Sequence, residues 1–338
     1  MTRSQTLRVV LALLALGCTR CSSSSSAHAD AAATDTGTDQ TADAPDSNDD
    51  AAADSPADSP SDATDTAAAP LFGTIAVDLI TDDHTAFLGA FFDGPRPDAT
   101  PMDVAQMQGD CRLVVPRAIS CEGGCAAGST CTGNVCERNP KQVSVGVLHV
   151  HGLGGGDLEL EPSPPSAPSY QAVPTLPYPS CGEGDDVTAS ADSFTTAAKC
   201  VGALELESAA PIPVVSGQAM HLAWKAPARA GISRIEIELE ISHHGGYKGQ
   251  IECDVADTGA FDVPANLVTA LVALGRAGYP TVKVARTSKA TAPTQPGVAL
   301  VVASRVEVDV DTGVVSGGAD SSPPCPDGET CQPDYTCR

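Results

Sequence analysis

From Leu71 onward the chain alternates short apolar runs with glycines and prolines. The runs are Thr74–Ile80, Val143–Val150, Ala203–Glu207, Met220–Trp224, Arg234–Ile241, Val282–Ala285 and Val298–Val310. The clearest is Ser233–Ile241, where Ile235, Ile237, Leu239 and Ile241 fall on one face and Glu236, Glu238 and Glu240 on the other. That period of two is the signature of a strand with one buried and one wet face. Val306–Val310 repeats it. Strands of this kind belong to antiparallel sheets, and many of them without long helices predict a β-sandwich. Two short helices are expected. Thr100-Pro101-Met102-Asp103 reads as a helix start with Gly109 as its stop. Pro264–Leu274 places Leu267, Leu271 and Leu274 on one side and ends at Gly275. Residues 154–185, rich in Pro and Gly, read as a long loop or a linker between two β subdomains.

The expected fold is therefore mainly β: one or more antiparallel sandwiches over 71–318, in one piece or as subdomains 71–160 and 185–318. A cysteine-rich insert at 111–136 and a cysteine-rich tail at 319–338 complete it. Trp224, in a strand-like run after Ser216-Gly217, resembles the core Trp of immunoglobulin-like sandwiches.

Residues 22–70 break the pattern. They contain eleven Asp, no Lys or Arg, and no Leu, Ile, Val, Phe, Tyr or Trp. Such a stretch has almost nothing to bury and is expected to be a disordered spacer, about 40 Å end to end as a coil. Asp spaced by Ala and Ser lacks a calcium-loop pattern, so a solvated spacer is the reading preferred. The whole chain of 338 residues carries a net charge of −24 and has 13 cysteines. The acidity argues against a nucleic-acid partner. The cysteine count argues against a reducing compartment. Past the N-terminus there is no apolar run of about 18 residues, the length a spanning helix needs.

Met1–Cys18 has Arg3 and Arg8 before an apolar Val9–Leu16, then Gly17-Cys18. This resembles the lipobox of bacterial lipoproteins, with Ala15 where Leu is usual. The resemblance implies a signal peptide at 1–17, lipidation of Cys18, a tether at 18–70 and, with Thr19 following, outer-membrane sorting. The tether is similar to those of myxobacterial-type surface lipoproteins. A membrane contact through the lipid, on either face of the outer membrane, is the expected partner. The rival is ordinary secretion, with cleavage after Ala27-His28-Ala29.

Cys121, Cys125, Cys131 and Cys136 are spaced C-x3-C-x5-C-x4-C, and Cys325, Cys331 and Cys337 C-x5-C-x5-C. Both sets contain C-x-x-G-x-T-C, an internal near-repeat. The module resembles EGF-like or granulin-like knots, and the resemblance implies interleaved pairs, Cys121–Cys131 and Cys125–Cys136, with Cys325–Cys337 by analogy. Zinc could use the same spacings, but an exported chain favours disulfides. Cys111, Cys181, Cys200, Cys253 and Cys331 are left, so one of them is unpaired or reaches Cys21.

Candidate chemistry is sparse. Asp257-Thr258-Gly259 and Asp311-Thr312-Gly313 match the aspartic-protease triplet, but 54 residues between them leave no room for two lobes, and Asp-x-Gly is a common turn. His149 and His151 would share a strand face as a possible metal pair, with His243-His244 at another strand end. Cupin-like folds follow such a pair with Glu a few residues on; here Glu159 comes too late. Gly152–Gly156 reads as a turn rather than a phosphate loop. No G-x-S-x-G or H-E-x-x-H occurs. The expectation is a non-enzymatic surface protein engaged in binding, adhesion or envelope organisation, with an unknown protein or glycan ligand and no cofactor. The alternatives are a secreted hydrolase and a metal-binding module using His149 and His151.

Overall fold

The computed structural model describes residues 70–337 except 81–82, 99, 174, 243–246, 278, 315–324, 326–327 and 333–335. Cys18, Cys21 and the spacer lie outside the described residues, as do His243-His244. In chain order the strands are β1 (Phe72–Ile80), β2 (His84–Phe92), β3 (Met102–Gln108), β4 (Cys111–Pro116), β5 (Ser129–Thr132), β6 (Val135–Arg138), β7 (Leu148–His151), β8 (Leu158–Leu160) and β9 (Ser169–Gln171). They continue with β10 (Asp186–Ala191), β11 (Phe194–Lys199), β12 (Ile212–Pro213), β13 (Met220–Ala223), β14 (Arg234–Glu240), β15 (Gln250–Ala256) and β16 (Ala260–Val263). One helix, α1 (Ala265–Leu274), precedes β17 (Thr281–Ala292) and β18 (Gln295–Asp311). The fold is mainly β.

A ten-stranded sheet runs β3-β4-β15-β14-β17-β18-β1-β2-β9, with β12 added beside β18. Its spine is the β17–β18 hairpin, the two longest strands. Neighbours are antiparallel except β1 and β12, which lie parallel to β18. Along β18 every second residue from Val298 to Val310 faces inward, while Arg305, Glu307 and Asp309 face out.

Two apolar cores share this inner face. One packs Ile75, Val77, Phe91, Leu300 and Val302 against the four-stranded sheet β11-β10-β7-β8. The other packs Ile235, Ile237, Leu239, Val282 and Val284 against the β13–β16 ladder and α1. Each core draws residues from both sides of 160–185. That stretch supplies β9 to the edge of the large sheet. The antiparallel layering follows from strands that alternate apolar and polar residues.

β14 has the expected alternation, with Ile235, Ile237, Leu239 and Ile241 buried. α1 runs as expected, burying Leu267, Val268 and Leu271; Gly275, at φ 119°, ends it with its N–H on the Val272 carbonyl. The helix expected from Thr100 is instead β3. Asp98 accepts a bond from the Thr100 N–H, and β3 then pairs with β4. Gly109, at φ 57°, serves as a hairpin turn rather than a helix stop. Pairing to β4 outweighs a local preference that Pro101 and Thr100 also satisfy in an extended entry. Two predicted runs shrink: the strand at 143–150 begins only at Leu148, and 203–207 keeps a single bridge, Leu206 to Trp224. Among the described residues no helix is long and apolar enough to cross a membrane.

Candidate functional site

The cysteines are largely committed to crosslinks. Bonds join Cys121 to Cys131, Cys125 to Cys136, Cys325 to Cys337, Cys181 to Cys200 and Cys111 to Cys253. Cys111 and Cys253 face each other across β4 and β15, 142 residues apart in sequence. Cys331 is free and exposed. The near-repeat accounts for it: Cys131 pairs with Cys121, four places before Cys125, whereas Ser321 stands four places before Cys325. Among the described residues, the only set of three grouped metal-ligating side chains is Cys121, Cys125 and Cys136, whose sulfurs are already in disulfides.

The two Asp-Thr-Gly triplets have separate local uses. Asp257 is the centre of a buried network. Arg286 donates to it from Nε at 2.6 Å and Nη2 at 3.2 Å, Ser233 Oγ donates at 2.7 Å, and the Trp224 indole N–H donates at 2.8 Å. Arg286 points inward from the middle of β17, with 2% of its side chain exposed. Its remaining donors reach the carbonyls of Ala203 and Lys225 at 2.7 and 2.6 Å. Every charge in the network has a partner, the condition for burying an ion pair. Ser304 sits opposite Arg286 on β18 and accepts from the Leu204 N–H. The network is thus part of a polar seam between the two cores. Trp224 is a core residue, and its indole N–H is fixed by this seam. Asp311 accepts from the Gly313 N–H at 2.8 Å, an Asx turn.

The outer face of β15, β14, β17 and β18 carries a groove of about 770 Å³. Several of its charges form cross-strand pairs: Arg112 with Glu252 at 2.7 Å, Lys283 with Glu238 at 3.3 Å, and Lys289 with Glu236; Asp254 pairs with Arg234 outside the groove at 2.5 Å. Exposed pairs of this kind contribute about 0–1 kcal/mol each. Beside them, burial and the charges of Glu252, Glu238 and Glu240 push the Tyr247 phenol above its usual range. A smaller groove lies on the outer side of β1 and β2, over Phe72, Ala76, Leu88 and Phe92, with the Arg96 guanidinium 5.2 Å from the Phe92 ring centre.

His149 and His151 stand on one exposed face of β7, since Leu148 and Val150 take the buried face. β8 brings a carboxylate to each: Glu159 lies 3.6 Å from His149 Nδ1, and Asp157 lies 2.7 Å from His151 Nδ1. On the other side β10 sets Ser190 opposite His149 and Thr188 opposite His151. The two strands are joined by the glycine run. Gly152 sits at φ 87°, where a Cβ would collide with the Asp186 carbonyl, so this loop is a tight turn. The pairing of the histidines with Asp157 and Glu159 is not evident from H-V-H alone. The signal is a second alternation, Asp157-Leu158-Glu159-Leu160, just after the glycines: two period-two runs joined by a turn make a hairpin. His221 on β13 faces Asp262 on β16 at 2.6 Å, and His84 meets Asp83 at 2.7 Å. Each of these four histidines has a carboxylate near its Nδ1, but among the described residues only β7 carries two histidines on one face.

No protein-family model matches the chain, and no curated protein is significantly similar to it.

Proposed function

We propose that this is a lipid-anchored envelope protein whose folded region works by binding rather than by catalysis. The observation that carries the reading is the order of parts. An apolar segment ends in Gly17-Cys18, an Asp-rich spacer without large apolar residues follows, and then comes a disulfide-stapled β region. The five disulfides fit an oxidising compartment. Binding is favoured over hydrolysis because the carboxylates of the two Asp-Thr-Gly triplets already have structural work. Asp257 holds Arg286, Trp224 and Ser233, and Asp311 closes its own turn. The outer face of the large sheet offers a groove of alternating acidic and basic side chains, suited to a polar protein or glycan ligand.

Mass spectrometry of the native N-terminus in the membrane fraction tests the anchor. The expected result is a mature chain beginning at an acylated Cys18. A soluble chain beginning at Asp30 would replace the anchored reading with a secreted one.

A further inference from the structure

We propose that His149 and His151 form a surface site for one divalent transition-metal ion, with copper(II) the tightest binder and zinc(II) next. The site stands apart from the anchored-binding reading and fails or survives independently of Cys18. The argument begins with the strand. Residues two apart on β7 point to the same side, about 6.5–7 Å apart at the backbone, and both imidazoles lie on the exposed face. Two flexible arms at that spacing can turn their outer nitrogens to one ion.

The carboxylates beside the rings bear on which nitrogens face an ion. Each Nδ1 faces a carboxylate delivered by β8, Asp157 at 2.7 Å and Glu159 at 3.6 Å. A carboxylate on the Nδ1 side of each ring leaves Nε2 as the nitrogen facing away from it, a placement that metal-binding histidines commonly have. Nε2 of each ring is the nitrogen turned toward an ion. Imidazole nitrogen selects copper, zinc and nickel over calcium or magnesium, and the order of affinities puts copper(II) first. Water completes the coordination sphere, because the face is open. Neutral Ser190 and Thr188 flank the pair on β10, and the nearby Lys199 is tied to Asp186 at 2.7 Å.

His221 is an internal control. It has the same Nδ1-carboxylate partner, Asp262, and no second imidazole beside it. The test uses the mature full-length chain with Cys331 capped by iodoacetamide, titrated with copper(II) by calorimetry and by electron paramagnetic resonance. The expected result is one equivalent bound with the superhyperfine pattern of two imidazole nitrogens. His149→Asn or His151→Asn reduces this to a one-nitrogen pattern. Asp157→Asn weakens affinity by about tenfold, as loss of a carboxylate beside a ligating histidine does. His221→Asn changes neither stoichiometry nor spectrum. Thermal unfolding of each variant checks the fold, which these exposed substitutions should leave unchanged. Absence of a bound equivalent in the wild type would overturn the site. So would a two-nitrogen spectrum that survives His149→Asn and His151→Asn, or one abolished instead by His243→Asn or His244→Asn.

Discussion

Asp257 shows how one residue type serves two opposite ends. In sequence it opens a triplet known for catalysis; in the fold its carboxylate is the acceptor for three side chains at the seam between two cores. Removing its charge leaves Arg286 buried without a counter-ion. Asp257→Asn is expected to lower stability by about 3–5 kcal/mol, read by denaturant unfolding. A loss below about 1 kcal/mol would mean that Arg286 finds water instead. Tyr247 makes a separate prediction. Its folded phenol is held above the unfolded value near 10 by burial and by Glu252, Glu238 and Glu240. The protonated form is therefore favoured in the native state. That stability is fully present below about pH 10 and is lost as pH rises beyond it, because the unfolded chain releases the proton first. Tyr247→Phe should flatten the fall in unfolding free energy between about pH 9.5 and 11. Equal slopes for wild type and variant would remove Tyr247 as the cause.

At the level of elements, legibility depended on whether a segment's partner was also encoded locally. β14, β18 and α1 could be read because alternation or a helical stripe marks which face is buried, and burial decides the element. β3 could not. Its only partner in the large sheet is β4, and nearly all of its side chains are exposed, so no face pattern distinguishes strand from helix. β8 and β9 are three residues each, set in a Pro- and Gly-rich stretch, and exist because longer strands already present an edge to them. The histidine pair was legible as two residues on a face; the acids behind it required the hairpin. β3 and β4 form the margin of the large sheet and are tied to β15 by Cys111–Cys253. Replacing both cysteines with Ala should cost about 2–5 kcal/mol and speed amide exchange in β3 and β4 more than elsewhere. Uniform loss of protection across all strands would show instead that this margin and the centre open together.

At the level of the whole molecule, a possible split at 160–185 gives way to a different division. Two cores lie on one continuous sheet, separated by a polar seam rather than by a linker. Sequence indicated that apolar strands dominate but not this sharing, because it depends on which halves of β17 and β18 meet which neighbours. β1 pairs with Gly297–Ser304 and β14 with Thr281–Thr287. A spine longer than either partner set is what lets two cores form on one inner face.

The parallel placement of β1 beside β18 has a mechanical consequence. Phe72 at the start of β1 lies level with Gly297, and β18 continues seven residues past the last pair at Ser304. A pull applied at Leu71 and opposed at the far end of β18 acts along both strands in opposite directions. The hydrogen bonds between them are then loaded in shear and must give way together, rather than one at a time as in an opening zipper. β1 is also paired to β2 on its other side along its full length, which adds a second row of bonds to the load. The fold therefore resists tension best along the line that joins its entry strand to its exit strand.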